Sequence, residues 1–411
     1  MKKKNSYRIA ITLLASFLMS FVSCDDSEKT LNSGNNKKPQ DTWTNYIGTQ
    51  ADEIGFDIVE TNPLGYFIAG SKEDSLGANN LFVVRTNPFG SIIYTKEIQN
   101  EFHETPFAVI LSSDNTYLLV GEFKASPSAN SDMLIYKLDD SGGIIWSQTY
   151  GELENEIGQD IIQTSDKGYL ITGSWESSSN GGSDLALLKL DSEGLYEWKK
   201  IFGGVNNEYG HSLVGTSDKG FAICGHKESV GAGNSDVYLV KVDSAGTFLW
   251  EKSYGGSGND VGHEIISTKD LGFLIVGESD SFDGGISKAY IIKTDSLGNL
   301  IWQKTFPNGK REAAYSVVEV FDGGYVVCGW AIYNLNFGGS DLFLYKLDSQ
   351  GNMLWDKSYG GGVNDVGYSI IYTADNGFAV AGYTQSFGAG GKDIYFLKTN
   401  IAGELRPTTE D

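Results

Sequence analysis

Residues 261–305 read VGHEIISTKDLGFLIVGESDSFDGGISKAYIIKTDSLGNLIWQKT and contain four short runs rich in β-branched and aromatic residues. The runs are Val261 to Thr268, Phe273 to Gly277, Ala289 to Thr294 and Leu300 to Thr305. Turn residues separate them, and the Asp-Ser-Leu-Gly turn between the last two supplies a glycine where a positive φ is expected. The stretch is therefore predicted to form one sheet of four antiparallel strands, A to D, in which C and D make a tight hairpin.

This unit recurs seven times, and three of its positions recur with it. An aromatic position repeats every 51 to 53 residues at Trp43, Tyr94, Trp146, Trp198, Trp250, Trp302 and Trp355. A glycine ends an apolar run at Gly70, Gly121, Gly173, Gly225, Gly277, Gly329 and Gly382. A basic residue follows at Arg85, Lys137, Lys189, Lys241, Lys293, Lys346 and Lys398. A period near 50 with several short strands per repeat is typical of propeller blades.

The tight C–D turn also determines where the blades begin and end. The strand around Trp43 is then a D strand with no A, B or C strand before it, while residues 366–399 supply A, B and C with no D strand after them. We therefore predict an all-β, seven-bladed β-propeller over residues 42–406, with four antiparallel strands per blade and a seventh blade closed by the N-terminal strand. Such closure removes the open sheet edge that invites aggregation.

The first 23 residues have the features of an export signal. Basic residues (Lys2, Lys3, Lys4 and Arg8) precede an apolar run over residues 9–22, which is too short for a comfortable transmembrane helix. The run ends Phe21-Val22-Ser23-Cys24, which resembles a bacterial lipobox. The resemblance implies that residues 1–23 are a lipoprotein signal peptide and that Cys24 is lipidated after cleavage. An ordinary secretory signal is the alternative.

Residues 24–41 are almost entirely polar and are expected to form a flexible tether, and residues 407–411 a short tail. The acidic Asp25 and Asp26 resemble the surface-export signal of Bacteroidetes lipoproteins. We therefore expect an outer-membrane lipoprotein that is either exposed at the cell surface or faces the periplasm.

The charge balance limits the partners. The formal net charge is −22, and removal of the signal would leave 27 basic and 53 acidic residues. Such a surface repels nucleic acid. The expected partners are the membrane, through the lipid anchor, and a protein or glycan.

The pattern Asp-x-x-Gly-x-x-x-Trp, as in Asp348 to Trp355, resembles the tryptophan-docking repeat of quinoprotein-type propellers. The resemblance implies that each tryptophan packs between neighbouring blades. Quinone enzymes of this class typically have eight blades and a metal-assisted cofactor site, whereas this sequence has seven repeats and no such site. It is therefore more similar to the non-enzymatic lipoproteins of the class, and no cofactor is expected.

An acidic position occurs in all seven repeats just before strand A: Glu53, Glu104, Glu156, Glu208, Asp260, Glu312 and Asp365. If strand A lines the channel, these carboxylates form a ring at its mouth, where close like charges raise pKa values or demand a cation such as structural calcium. The alternative is that each carboxylate caps local amides or pairs with the basic position. A second acidic position precedes strand C at Asp132, Asp184, Asp236, Asp341 and Asp393, and is expected to fix the entering loop.

Positions that vary between repeats carry more information on function, because the fold does not require them. One lies within strand A: Phe56, Phe107, Gln159, His211, His263, Tyr315 and Tyr368. Others lie in or near the B–C loops: Trp175, His226, Phe282, Trp330, Tyr333, Phe337 and Phe387. Exposed aromatic side chains are favoured at binding hot spots, so the loop residues form a candidate binding face. Packing within the fold is the alternative for both sets.

No catalytic motif is present: the chain has no nucleophile elbow, P-loop, dinucleotide fingerprint or zinc-ligand spacing. The first hypothesis is a membrane-anchored, non-catalytic binding or scaffold propeller that holds a protein or glycan partner. The alternative is a carbohydrate-active or other hydrolytic enzyme with a carboxylate site in the channel.

Overall fold

The computed structural model describes residues 42–99, 102–126, 128–177, 182–228, 233–306, 308–333 and 339–405. These residues form seven separate four-stranded sheets, and no helix occurs among them. Within them, consequently, no helical segment has the length and apolarity to cross a bilayer. The predicted signal peptide, Cys24, the tether, Phe337 and the tail lie outside the described residues.

The first three blades follow one another along the chain. Blade 1 comprises β2 (Glu53–Glu60), β3 (Tyr66–Glu73), β4 (Asn79–Thr86) and β5 (Ile92–Ile98). Blade 2 comprises β6 (His103–Leu111), β7 (Tyr117–Lys124), β8 (Ser131–Leu138) and β9 (Ile144–Tyr150). Blade 3 comprises β10 (Glu156–Gln163), β11 (Tyr169–Ser177), β12 (Gly182–Leu190) and β13 (Tyr196–Phe202).

The next three blades repeat the same order. Blade 4 comprises β14 (Glu208–Gly215), β15 (Phe221–Lys227), β16 (Asp236–Val242) and β17 (Phe248–Tyr254). Blade 5 comprises β18 (Asp260–Ser267), β19 (Phe273–Ser279), β20 (Lys288–Thr294) and β21 (Leu300–Thr305). Blade 6 comprises β22 (Arg311–Glu319), β23 (Tyr325–Ile332), β24 (Asp341–Leu347) and β25 (Met353–Tyr359).

Blade 7 joins the two ends of the chain, which confirms the predicted closure. Its first three strands are β26 (Asp365–Tyr372), β27 (Phe378–Thr384) and β28 (Asp393–Thr399), and its fourth is the N-terminal β1 (Trp43–Ile47). Strand β1 pairs antiparallel with β28, with Trp43 opposite Lys398 and Ile47 opposite Ile394. The last sheet therefore has the same four strands as the others.

The first strand of every blade lies innermost. Each A strand contacts the A strands of both neighbouring blades, and the contact between β2 and β26 closes the ring. The seven A strands therefore line a central channel. Since the strands of a blade are antiparallel, the D–A connections and B–C loops share one end of the channel, the loop face. The A–B and C–D turns share the other end, the turn face.

Each aromatic residue of the repeat packs on a glycine that follows strand C of the next blade, and in blades 1 to 6 this glycine lies in the C–D turn. At Gly351, whose φ is +73°, an added Cβ would lie 2.8 Å from the indole of Trp302. The same contact joins Trp43 to Gly90, Tyr94 to Gly142, Trp146 to Gly194, Trp198 to Gly246, Trp250 to Gly298 and Trp355 to Gly403. Close approach of the ring requires a residue without a Cβ, and the positive φ favours glycine independently.

The hydrophobic core lies in the seams between blades rather than at one centre. One cluster joins Leu274 and Ile291 of blade 5 to Val327 and Phe343 of blade 6, all fully buried. Burial of apolar surface of this kind contributes roughly 25 cal/mol per Å². Because every seam is formed by two blades, each blade is stabilised by both of its neighbours.

Candidate functional site

The channel lining is built around a β-bulge that recurs in every A strand. In blade 1 the pairing with β3 shifts between Gly55 and Asp57, so Phe56 has no partner across the strand pair. The extra residue at a bulge re-aims its side chain. The seven bulge residues are Phe56, Phe107, Gln159, His211, His263, Tyr315 and Tyr368. These are the variable strand A positions noted in the sequence.

The bulge residues form a ring around the channel, which we call the collar. Six of the seven are aromatic or imidazole side chains, and successive rings are in contact. The centroid distances are 5.8 Å for Phe107–Phe56, 5.6 Å for Phe56–Tyr368, 5.3 Å for Tyr368–Tyr315, 4.9 Å for Tyr315–His263 and 5.7 Å for His263–His211. Gln159 occupies the seventh position. All seven side chains are partly exposed, so the collar is accessible from the channel.

A second ring lies next to the collar and is supplied by strand B, one residue after the repeat's glycine. We call it the rim: Ser71, Glu122, Ser174, His226, Glu278, Trp330 and Tyr383. It is uneven, because blades 1 and 3 carry serine and blade 2 carries glutamate, whereas blades 4 to 7 all carry a large side chain and three of these are rings. There His226 lies 5.1 Å from His211, and Tyr383 lies 5.9 Å from Tyr368, between ring centroids.

The other two bulky rim residues also contact the collar residue of their own blade. The indole Nε1 of Trp330 donates a hydrogen bond to the Tyr315 hydroxyl at 3.1 Å. The Glu278 carboxylate lies 3.5 Å from Nε2 of His263. The sequence analysis does not identify Glu278 and Tyr383 as candidate site residues. The feature that marks them in the sequence is that their position varies between repeats, although the glycine before it is present in all seven.

Three of the chain's four histidines meet in this sector of the channel. Burial lowers the pKa of His226 to about 4, and it lowers the pKa of His211 well below the ordinary value, with the neighbouring imidazoles adding to the effect. Both rings are therefore neutral at physiological pH. Within the described residues, no group of three or more histidine, cysteine or carboxylate side chains has the geometry to hold a metal ion.

Three carboxyl groups follow the collar by one residue, at Asp57, Asp160 and Glu264, and we call them the inner carboxyls. Burial raises the pKa of Asp57 to about 6, that of Glu264 to about 8, and that of Asp160 in the same direction. Each accepts a backbone hydrogen bond from the next blade: Asp57 from Val109 at 2.7 Å, Asp160 from Leu213 at 2.9 Å and Glu264 from Val317 at 2.5 Å. They tie neighbouring A strands together around the channel.

The seven acidic residues predicted just before strand A are the first or second residue of that strand, and they lie apart from the collar. Their side chains are 0–3% exposed and sit in the seams between blades, rather than in an open ring at the channel mouth. Most accept a backbone amide from the preceding loop, as Glu53 does from Thr49 at 3.0 Å and Asp365 does from Gly361 at 2.9 Å. Glu104 instead accepts the hydroxyl of Tyr136 at 3.0 Å. Local capping, one of the two alternatives from the sequence, is thus the arrangement present.

The basic residues of the repeat do not neutralise these acids. Each buried lysine pairs with an aspartate of its own A–B turn, as Lys293 does with Asp270 at 2.9 Å. The other such pairs are Lys137–Asp114, Lys189–Asp166, Lys241–Asp218, Lys346–Asp322 and Lys398–Asp375. In blade 1, Arg85 reaches Asp140 of the next blade at 3.3 Å.

Instead, five of the acidic residues at the start of strand A lie beside the acidic residue at the start of strand C in the previous blade. At Gly203 an added Cβ would lie 1.8 Å from the Asp184 carboxylate and 2.6 Å from that of Glu208, which places the two groups side by side. Equivalent glycines mark the pairs Asp132–Glu156, Asp236–Asp260, Asp341–Asp365 and Asp393–Glu53. The two remaining seams have Lys288 or Asn80 in place of the aspartate. The expectation that these aspartates serve only their own loop missed this contact between blades.

The aromatic residues in or near the B–C loops belong to the loop-face end of the ring, but they do not all reach the channel. Of the six that the structure describes, only His226 and Trp330 belong to the rim. Trp175 is 5% exposed and lies under the Lys199 ammonium, 3.5 Å from its ring, in a separate crevice of about 310 Å³. Phe387 stacks on Tyr46 at 4.9 Å between centroids.

The two other described members of this set also lie apart from the channel. Phe282 contacts Tyr290, with 5.4 Å between ring centroids, and is 45% exposed. Tyr333 packs against the hydrophobic cluster between blades 5 and 6.

Comparison with known proteins supports the fold and nothing finer. No family profile matches the chain, and no curated protein does. Among solved structures, the chain is similar to BBS1N in a complex with ARL6DN (TM-score 0.51, 9% identity, 90% of this chain and 97% of that one). It is also similar to the polysaccharide lyase Uly1 (TM-score 0.50, 12% identity, 84% and 90%) and to the Neurospora crassa Pan2 WD40 domain (TM-score 0.49, 11% identity, 87% and 98%). At such identities the likeness to BBS1N and to Uly1 shows the fold and not an activity.

Proposed function

We propose that this chain is a non-catalytic binding module that holds a protein or glycan partner at the loop-face mouth of its channel. The observation that carries the proposal is the uneven rim above a continuous collar. The repeat does not need histidine, glutamate, tryptophan and tyrosine at the rim of blades 4 to 7, since blades 1 and 3 have serine there. Aromatic side chains with a polar edge are favoured at binding hot spots.

The carboxyl groups in the channel support binding rather than hydrolysis. A glycosidase needs one carboxyl group free to donate a proton and a second free to act as base or nucleophile. Asp57 and Asp160 each accept at least two backbone amides, and Glu264 accepts one at 2.5 Å. These bonds hold the carboxyl groups in the channel wall, where they connect blades.

The proposal includes attachment to a bacterial outer membrane through a lipid on Cys24. It rests on the lipobox-like sequence at residues 21–24 and on the polar stretch that separates it from Thr42. Several acyl chains together anchor a protein stably, where a single chain is marginal. The tether would let the propeller reach a partner embedded in the same membrane or standing above it.

The test is a crosslinking pull-down of the full-length protein from membranes of a bacterium that makes it, with the Cys24→Ser variant as control. We expect the native protein in the membrane fraction, with one partner recovered in near-equal amount, and the variant released from the membrane. Recovery of background proteins alone from the membrane-bound protein would count against a scaffold role. An unchanged distribution of the variant would count against the lipid anchor.

A further inference from the structure

We propose that the collar binds an organic cation, the ammonium or guanidinium group of a lysine or arginine side chain or of a polyamine, inserted along the channel axis. This inference deepens the proposed function and rests on it. It names the chemistry of the group that the partner would place in the channel.

The first support is the composition of the collar. Six of its seven positions carry a ring, and five contacts link these six rings, so the channel wall at this level is largely aromatic. A cation near aromatic rings is attracted by their quadrupoles, by about 0.5 to 2 kcal/mol per contact depending on desolvation. Cages of several aromatic rings are a recurring means of recognising ammonium groups.

The second support is the charge behind the collar. The inner carboxyls Asp57, Asp160 and Glu264 line the same channel one residue further along their strands. Each interacts unfavourably with at least one of the others, and no lysine or arginine belongs to the collar, the rim or the inner positions. A cation in the channel would supply the positive charge that this set of residues lacks.

The third support is a cation–π contact already present at the rim. The ammonium of Lys392 lies 5.3 Å from the ring centroid of Tyr383, while it also pairs with Asp52 at 3.6 Å. A lysine side chain from a partner would meet the same chemistry a short distance deeper. The formal charge of the whole chain, −22, would steer such a partner toward the protein.

A metal ion fits the channel less well than an organic cation does. A hard divalent ion requires six or more oxygen ligands, whereas the inner carboxyls already accept backbone amides. An ammonium or guanidinium group needs no direct coordination and gains from ring faces and from the field of nearby carboxylates. The side chains that line the channel therefore favour an organic cation over a metal ion.

Binding would be linked to protons. A cation favours the ionised inner carboxyls, so its binding should release protons near neutral pH, where Glu264 is largely protonated in the free protein. Protonation of His211, His226 or His263 places a positive charge beside the site and would oppose binding. Glu278, which faces His263, moderates that effect.

The probes are pentalysine, the same peptide acetylated on every side chain, and spermine. Titration calorimetry of the whole protein at pH 7.5 and physiological salt compares them. We expect one equivalent of pentalysine or spermine to bind, with proton release, and the acetylated peptide not to bind. Binding of spermine alone would identify the source as a free polyamine, and binding of pentalysine alone would identify it as a protein segment.

The variants separate the site from general attraction to an acidic protein. Tyr315→Leu with Tyr368→Leu should weaken binding at least tenfold, whereas the two Tyr→Phe changes should preserve most of the affinity. Glu264→Gln should weaken it several-fold. The same substitution at an exposed C–D turn of the turn face, Glu193→Gln, is the control for the general negative charge of the protein and should leave the affinity unchanged.

Equal weakening by Glu264→Gln and Glu193→Gln, or no effect of the Tyr→Leu changes, would overturn the inference. So would binding of the acetylated peptide with equal affinity, or absence of binding by both cations. If these results were obtained and crosslinking still captured a partner at the rim, the proposed function would hold and the cation inference alone would be wrong.

Discussion

The carboxyl groups of Asp184 and Glu208 lie side by side across the seam between blades 3 and 4, where a Cβ added at Gly203 would lie 1.8 Å from the first and 2.6 Å from the second. Two adjacent carboxyl groups can form a hydrogen bond to each other only if one of them is protonated. Burial and the adjacent Glu208 both raise the pKa of Asp184. Four other seams place two carboxyl groups side by side in the same way.

Asp184→Asn should therefore stabilise the protein at neutral pH. Because the folded state holds the Asp184 proton more tightly than the unfolded chain does, stability is lost as pH rises from about 4 through the raised pKa. The amide donates to Glu208 without taking up a proton. We expect a gain of about 1 kcal/mol in the free energy of unfolding at pH 7, roughly the value of one hydrogen bond, and little difference at pH 4. Urea unfolding at both pH values measures it.

The reciprocal change tests the same idea at a seam without a carboxyl pair. Asn80 occupies the aspartate position between blades 1 and 2, beside strand A of Glu104. Asn80→Asp should destabilise the protein at pH 7 and recover toward pH 4. Destabilisation by both Asp184→Asn and Asn80→Asp, at both pH values, would show that these positions tolerate no change and that proton sharing is not their role.

The ring of aromatic–glycine contacts predicts a position-specific effect of alanine. Gly298 and Gly323 both have positive φ (+72° and +79°), but only Gly298 lies against a tryptophan, with 2.7 Å from an added Cβ to Trp250. Gly323→Ala should cost about 1 to 2 kcal/mol from backbone strain alone. Gly298→Ala adds displacement of the indole and should cost about 2 kcal/mol more, in the range of overpacked cores. Equal losses in thermal or urea unfolding would contradict docking as the source of stability.

Glu264 should make the protein less stable in mild alkali. Burial raises its pKa to about 8, so the folded state keeps the proton that the unfolded chain loses near pH 4.3. Stability attributable to this group therefore falls as pH rises from about 4.3 to 8. Glu264→Gln should flatten that slope by about 3.5 kcal/mol between pH 5 and 8, since the folded state holds one more proton than the unfolded chain over most of that range and one pKa unit corresponds to about 1.4 kcal/mol. Parallel pH profiles of the two proteins would contradict it.

The histidine sector should resist protonation. Burial and the adjacent His226 and His263 hold the pKa of His211 well below the ordinary value, so its ring stays neutral at a pH where a free imidazole is already protonated. Because the unfolded chain binds a proton at this histidine below about pH 6.5 and the folded state does not, the free energy of unfolding falls as pH decreases below that value. Proton NMR titration of the imidazole signals, assigned with single His→Gln variants, measures this. Titration of His211 near pH 6.5 would show that water hydrates it in the channel.

The fold was predictable because its determinants are local and repeated. Alternating short strands, turn glycines and the spacing of the aromatic position predicted seven blades, and the C–D turn predicted that Trp43 would pair with the last strand. The pairing of Asp184 with Glu208 was not predictable in the same way. A repeat pattern describes each acidic position within one blade. The contact between Asp184 and Glu208 joins two consecutive blades, so it depends on how their sheets pack.

The candidate site was predictable only in part. The variability of the collar positions marked them, but a bulge, not visible in the sequence, aims them into the channel. Aromatic residues of the B–C loops were considered as one set, although Trp175 lies under Lys199 and Phe387 stacks on Tyr46. Which loop residues reach the channel depends on side-chain packing that the repeat pattern does not encode.

The most direct test of the central claim is site-specific photocrosslinking in native membranes, with p-benzoylphenylalanine at Tyr383 of the rim or at Phe321. Phe321 is 70% exposed on an A–B turn of the opposite, turn face, and serves as the control. If the loop-face mouth of the channel holds the partner, the Tyr383 probe gives a discrete crosslinked product and the Phe321 probe does not. The same product from both positions, or a product from Phe321 alone, would contradict a binding site at the channel mouth.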